Sequence, residues 1–426
     1  MKRIVLCRVL LVAAGLAWWP AVQAQESAQA TNQVLTLDAL VDDALRQNPE
    51  LLVAEASLAG LQGETITAGA YQNPELNFTP SVKHVSPDGG PGDTFFRGTI
   101  GIGQLIEYPG KRAVRKAIAE RSVAGGRLAL ESLRYQIQLQ VRKAYYELLA
   151  LQQIESLRAE QVESARVFAG AARKRMETGY GSDFEGLKAE ADFIAARKLL
   201  RDSQGRIASA TITLNALAGR PATAPLRVAG VLAGNFSVPG TNFPAFALAN
   251  NPALRLQSVE NEKAGLGIKS AKLSGRPDFT VGPALELDQE EQVYGVSISL
   301  PLPLWNGRKG EIQTARAAQQ KALAETEKLR REIIRAVTTA EQNLRTAGAQ
   351  LALYTPEFRH RLRALVAQAE QSYAQSATTL LIYLDARRTY FDSLADYHES
   401  LAQAAGARAE LESAVGVPLD LNLSQP

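Results

Sequence analysis

No proline occurs between Lys111 and Thr178, and within that stretch Leu130, Ile137, Ala144 and Leu151 recur at intervals of seven, with Val141 and Leu148 interleaved. This is coiled-coil spacing. At 1.5 Å per residue the predicted helix is roughly 100 Å long. A helix of that length cannot be wrapped by one globular core; it needs apolar neighbours along its whole length. The composition agrees. Aromatic residues are only 6% and hydrophobic residues 46% of the chain, a mixture that suits long helices better than a compact β or α/β core.

The plan occurs twice. Asn48-Pro49 returns as Asn251-Pro252, and Pro74 of NPELNF as Pro277 of RPDFTV, both 203 residues on. Gly110 pairs with Gly307, Ala189 with Ala386, Gly219 with Gly416 and Pro221 with Pro418, each 197 residues on. The shift falls between Pro74 and Gly110, where the first copy has the longer loop. We therefore expect a first repeat over 25–221, a Gly- and Pro-rich linker over 222–242, a second repeat over 243–418 and a tail over 419–426. Each repeat reads helix, hairpin, very long helix, helix. The predicted strands are about 75–83, 95–106, 278–287 and 293–300. The predicted long helices are about 111–178, 183–218, 308–375 and 378–415. Gly179 and Gly181 break the first long helix, and Ser182 or Asp183 can cap the next. Pro356 kinks or breaks the long helix of the second copy.

The hairpins alternate strictly. Leu76, Phe78 and Val82 alternate with Asn77, Thr79, Ser81 and Lys83, and the loop HVSPDGGPGD turns the chain. Phe96, Ile100, Ile102 and Ile106 then alternate with Arg97, Thr99, Gly101 and Gly103. In the second copy Phe279, Val281, Leu285 and Leu287 alternate with Asp278, Thr280 and Glu286. Across DQEEQ, Tyr294, Val296, Ile298 and Leu300 do the same. One apolar face per strand fits either a half-buried sheet or strands that cross an outer membrane. The absence of other core material favours lipid, with Leu76, Phe78, Val82, Ile100, Ile102, Phe279, Val281, Leu285, Val296 and Ile298 facing it. Four strands leave open edges that hydrocarbon does not tolerate, so several chains must close a barrel together.

The N-terminus supports export. Lys2 and Arg3 precede an apolar run from Val9 to Trp19, Pro20 ends it, and Val22-Gln23-Ala24 is a small-x-small cleavage pattern. This is a signal peptide over 1–24, with cleavage expected after Ala24. Beyond it no stretch is long and apolar enough for a transmembrane helix. Without Lys2, Arg3 and Arg8 the chain carries 44 basic against 44 acidic residues; with no basic stripe, nucleic-acid binding is not expected. The single cysteine, Cys7, lies in the leader, which excludes a disulfide framework or a cysteine-based zinc cluster in the exported chain. Only His84, His360 and His398 are present, none with a ligand partner at helical spacing, so no metal site is expected. His360 and His398 sit in charged helical stretches and read as solvated. There is no G-x-S-x-G, P-loop, H-E-x-x-H or Gly-rich βα turn. Neither enzymatic activity nor a cofactor is expected.

The doubled layout, the paired Asn-Pro and the hairpin exits QLIEYPGKR and LPLPLWNGRKG resemble the TolC-like outer-membrane efflux family. So do the helix turns TGYGSDFEGLKAEADF and SATTLLIYLDARRTYF, and the closing LNALAGRP and LESAVGVPL. The resemblance covers nearly the whole chain after the leader. It implies a homotrimer in the outer membrane, with a twelve-stranded β-barrel on a twelve-helix periplasmic α-barrel. Such a trimer is the exit duct of a tripartite pump. PGKR followed by Ala-Val-Arg-Lys, and PLPLWNGRKGEI, resemble the CzcC-type subgroup, which implies heavy-metal cation cargo. The implied partners are a periplasmic membrane-fusion adaptor, an inner-membrane resistance-nodulation-division pump and outer-membrane lipid. The same family includes drug-efflux and type I protein-secretion ducts. A periplasmic coiled-coil adaptor would share the leader and long helices but not two amphipathic hairpins.

The resemblance also implies a site at the periplasmic tip, in the turns that follow the long helices. Asp385 corresponds to a pore-lining acid. Tyr373 corresponds to a latch tyrosine, and Glu185 to its acidic partner in the first repeat. Gly179 marks the first turn, Ser376 replaces the equivalent glycine of the second, and Thr378 stands where a basic latch residue would fall.

Overall fold

The computed structural model describes residues 34–85, 92–179, 182–230, 232, 242–288 and 291–419. The leader with Ala24, Gly181, part of the HVSPDGGPGD loop, most of 231–241 and residues 420–426 lie outside the described residues.

In chain order the elements are β1 (Val34–Leu35), α1 (Leu37–Gln47), α2 (Pro49–Gly69), β2 (Glu75–Val85), β3 (Asp93–Ile106), α3 (Lys111–Glu177), α4 (Asp183–Leu217) and β4 (Arg227–Val228). The second half continues with α5 (Phe243–Asn250), α6 (Pro252–Ser274), β5 (Phe279–Leu287), β6 (Gln292–Ser299), α7 (Lys309–Ala352), α8 (Pro356–Ala374) and α9 (Leu380–Val415). Helix α3 is continuous over 67 residues. Leu130, Ile137, Val141, Ala144, Leu148 and Leu151 are all buried, because α3 packs against α2, α4, α6 and α9 along its length. Its second-half counterpart is divided. Proline cannot supply the N–H that an uninterrupted helix needs. The chain therefore leaves α7 at Leu353 and restarts with Pro356 at the first turn of α8, where the Thr355 hydroxyl accepts from the Phe358 N–H at 3.1 Å.

The paired Asn-Pro ties each repeat together at its middle. Asn48 Oδ1 accepts from the Glu50 N–H at 2.9 Å and caps α2, while its Nδ2 donates to the Leu217 carbonyl at the end of α4 at 3.1 Å. Asn251 does the same for α6 and α9, accepting from Ala253 and donating to the Ala414 and Val415 carbonyls. Gly219 and Gly416 follow those helix ends at φ +69° and +85°. A Cβ at Gly219 would meet the Gln47 backbone at 2.7 Å, and one at Gly416 would meet Pro252 Cδ at 2.7 Å. Glycine is therefore required at both positions on two counts. Two apolar clusters flank these ties, one around Leu40, Val141, Leu148 and Leu214, the other around Phe243, Val337, Leu344 and Leu411. The two-residue strands β1 and β4 pair in parallel beside the first cluster.

The structure corrects one pairing between the repeats. The left-handed residue at the head of α3 is Gly110 (φ +96°), and its counterpart at the head of α7 is Arg308 (φ +56°), not Gly307.

Strands β2, β3, β5 and β6 form one antiparallel sheet in the order β2-β3-β5-β6. The register places every predicted outward residue on one face. Phe78 stands opposite Ile100, Ile100 opposite Leu285 and Leu285 opposite Tyr294. Leu76 pairs with Ile102, Val82 with Phe96, Val281 with Ile298 and Pro283 with Val296. Phe279 joins this face opposite Ile106. The other face is mostly small and polar, with Phe95, Leu105 and Val293 among the exceptions, and carries ion pairs between Lys83 and Asp288 and between Arg97 and Glu286. Strands β2 and β6 are the unpaired edges of this sheet. No described helix is long and apolar enough to cross a membrane.

Candidate functional site

Two helix turns meet where α3 passes to α4 and α8 passes to α9. In the first, Gly179 takes φ +75°, and the Ser182 hydroxyl accepts from the Glu185 N–H at 3.2 Å to cap α4. In the second, Ser376 holds the equivalent left-handed conformation at φ +56°. Its N–H donates to the Tyr373 carbonyl at 2.9 Å, and that of Ala377 to the Ser372 carbonyl at 2.8 Å. A side chain in this conformation costs roughly 1 kcal/mol or more. Ser376 is exposed, so glycine there removes the cost without losing packing, partly offset by the greater freedom of glycine in the unfolded chain. Ser376→Gly is expected to stabilise the protein by roughly 0.5 kcal/mol, read as a rise in the thermal unfolding midpoint.

Behind the turns lies an aromatic box. Phe168 of α3 sits 5.6 Å from Tyr373 and 5.0 Å from Tyr383, ring centre to ring centre, and Tyr373 stacks on Tyr383 at 5.7 Å and 13°. The Arg175 guanidinium lies 5.7 Å over Tyr373. Burial pushes the Tyr373 hydroxyl above the usual tyrosine range, and the nearby Glu185 carboxylate pushes it the same way. Tyr373 and Glu185, singled out from separate repeats, are thus brought within electrostatic reach of one another. Burial pushes Tyr383 further, to about 12. Both tyrosines therefore remain neutral donors at physiological pH.

Arg387 closes the box from α9. It is 3% exposed, pairs with Asp192 of α4 and lies 5.7 Å from both Phe168 and Tyr383. Its Nη1 has no hydrogen-bond partner among the described residues. Burial pulls its pKa down to about 10, which still leaves it charged near neutral pH. Thr378 is half-buried and brings no charge to the turn; Arg175 and Arg387 bring positive charge to the aromatic box.

Asp385 lies on the opposite side of α9. Tyr383, Leu384, Ala386 and Arg387 are buried, whereas Leu381, Ile382, Asp385 and Arg388 are exposed. Asp385 makes no ion pair or side-chain hydrogen bond among the described residues, and Arg388 is turned to Asp392 at 3.4 Å. The helix thus presents an uncompensated carboxylate on the face that its own chain leaves uncovered. Of the histidines, His84 contacts Thr94 across the hairpin and His360 is exposed. His398 departs from the solvated reading: it packs beside Tyr397, and burial, with Arg359 nearby, lowers its pKa. Among the described residues no group of three or more His, Cys, Asp or Glu side chains is placed to hold a metal ion.

The family model for outer membrane efflux proteins matches residues 40–220 and again 244–417. The chain belongs to this family. It is an outer-membrane efflux channel protein. Among its relatives is the cobalt-zinc-cadmium resistance protein CzcC of Cupriavidus metallidurans, 24% identical over 90% of this chain and 90% of that protein. Another is the pyoverdine export outer membrane protein OpmQ of Pseudomonas aeruginosa, 23% identical over 88% of this chain and 81% of that protein. A crystal structure of CusC has the same fold, with a TM-score of 0.76 at 15% identity, covering 90% of this chain and 92% of that one.

Proposed function

We propose that this channel is the exit duct of a tripartite efflux system whose cargo is a heavy-metal cation of the cobalt, zinc or cadmium kind. The observation that carries the cargo is the match to CzcC, which runs over nine-tenths of both chains. The exposed, unpaired Asp385 supports it. In a homotrimer, three Asp385 carboxylates would ring the periplasmic entrance, where close like charges attract cations. A ring of several copies is supported by the free edges of β2 and β6, which only neighbouring copies can satisfy within lipid, and the twelve-stranded barrel implied by the family makes the number three. Gly179, Ser376 and Thr378 shape the turns at that entrance, and Tyr373 with Glu185 latches them. The duct takes its cargo from a periplasmic adaptor and an inner-membrane cation pump. It performs no covalent chemistry, and metal selectivity resides in those partners.

Siderophore export is the second reading, favoured by the likeness to OpmQ. Planar-bilayer recording tests the cation entrance. Asp385→Ala removes no packed apolar surface and should leave assembly intact while weakening block by multivalent cations several-fold. Unchanged conductance with unchanged block would make Asp385 a surface carboxylate and remove the ring from the proposal.

A further inference from the structure

At the helix end of the sheet, β6 does not stop being apolar on its outward face. The residues that alternate outward in β6 are Tyr294, Val296 and Ile298, and the chain continues through Leu300, Leu302 and Leu304 to Trp305. All four are exposed in the single chain, Trp305 at 93%. Few soluble surfaces leave an indole this bare; tryptophan concentrates where membrane meets water. The long polar helices leave the sheet at this same end, through Gly110 into α3 and Arg308 into α7. The run therefore lies at the periplasmic boundary of the bilayer.

Beside this run is a groove of about 670 Å³. It is lined by the leucine run with Trp305 and by Lys111, Arg276, Asp278 and Arg308. Lys111 is neutralised by Asp278 at 2.8 Å, and Arg308 pairs with Glu311. Arg276 is exposed, its guanidinium lies 5.9 Å from the Tyr108 ring, and it has no carboxylate partner among the described residues. Part of the lining is therefore apolar and continuous with the lipid-facing strands. Of the three cations in the lining, Lys111 pairs with Asp278 of the same lining and Arg308 with Glu311 outside it, which leaves Arg276 over.

We propose that this groove is a binding site for an anionic glycerophospholipid of the periplasmic leaflet. Its phosphate is held by Arg276 with Arg308 beside it, and the upper part of an acyl chain lies along Leu300, Leu302, Leu304 and Trp305. Charge complementarity and continuity with the lipid-facing strands favour this occupant over a neighbouring copy of the chain. A zwitterionic lipid satisfies the apolar part of the lining but leaves Arg276 uncompensated, so the site selects on headgroup charge.

The chain's three tryptophans make the test direct. Two, Trp18 and Trp19, lie in the leader. With Trp18→Phe and Trp19→Phe, Trp305 is the sole tryptophan whether or not the leader is retained. The assembled protein is reconstituted into phosphatidylcholine vesicles carrying a minor fraction of lipid brominated high on its acyl chains, either phosphatidylglycerol or phosphatidylcholine. Brominated phosphatidylglycerol should quench Trp305 as though enriched about fivefold at the site, the preference one basic residue gains at an anionic surface. Arg276→Gln should abolish the preference and leave quenching by brominated phosphatidylcholine. High salt should abolish it in the parent protein too, which covers the case of a variant that fails to assemble. Equal quenching by the two lipids overturns the proposal. So does quenching by aqueous acrylamide without any bromolipid effect. Protection from both quenchers overturns it as well, because a neighbouring copy would then cover the run.

Discussion

Replacing Phe78 by arginine is expected to abolish most of the membrane-assembled protein, and Val281→Arg, two rows nearer the periplasmic boundary, to reduce it by less. Phe78 stands in a row with Ile100, Leu285 and Tyr294, all on one face of the sheet. A cationic side chain on the lipid face near the bilayer midplane costs about 2–4 kcal/mol, and a trimer would bear it three times. Thr79 and Thr280 point to the opposite face, among Ser81, Arg97 and Glu286, where a charge meets water and other charges. Thr79→Arg and Thr280→Arg should therefore leave assembly near the parent level. Heat-modifiable oligomer bands from outer-membrane fractions measure both pairs. Equal tolerance on the two faces would show that the sheet does not present this face to lipid.

The second large effect is expected at the tip. Asp192→Ala leaves Arg387 buried among Phe168 and Tyr383 without its carboxylate. Removing one partner of a buried pair costs about 3–5 kcal/mol; Asp192 is itself 29% exposed, so a loss of about 3 kcal/mol per chain is expected. Arg387→Met behaves differently. Methionine fills the site without a charge, and water reaches the Asp192 carboxylate, so the cost should stay below about 1 kcal/mol. The double variant should then be more stable than Asp192→Ala alone. Denaturant unfolding of all three proteins measures this ordering. If Asp192→Ala and Arg387→Met were equally harmful, the pair would contribute through attraction rather than through the cost of an orphaned cation.

The elements legible in the sequence are those whose signal is periodic. The six apolar heptad residues of α3 are all buried because a sustained seven-residue repeat needs one continuous seam of neighbours. The strand faces were equally legible, since a period of two leaves only one way to gather Leu76, Phe78, Ile100, Val281 and Ile298 on one side. Asn48-Pro49 and Asn251-Pro252 are legible as a repeated pair, but what the two asparagines hold is not. The carbonyls they hold lie 169 and up to 164 residues away, and no local pattern encodes such a partner. Arg387 shows the opposite lesson. Leu380, Leu384, Arg387 and Phe391 are spaced four, three and four apart, which places the arginine on the buried stripe of α9. A charged residue at a core position of a heptad is a signal that can be read. Its partner Asp192 lies in the other repeat, so the pairing itself leaves no local signal. His398 reads as solvated because its stretch is charged, but the charge in a stretch does not fix which side of the helix is covered, and His398 lies half-buried beside Tyr397 with Arg359 nearby. At the tip, the Asp385 side of α9 is uncovered in the single chain, so that what faces it is decided between chains and not within one.

The most direct measurement of the central claim is the retention of metal in cells that carry the cognate pump and adaptor but lack this chain. After loading with zinc, cobalt or cadmium, cell-associated metal is followed by mass spectrometry during efflux. Slowed loss of metal is expected, restored by the parent chain and by Thr79→Arg but not by Phe78→Arg. Metal efflux at the parent rate, together with a lost export of siderophore or drug, would contradict it.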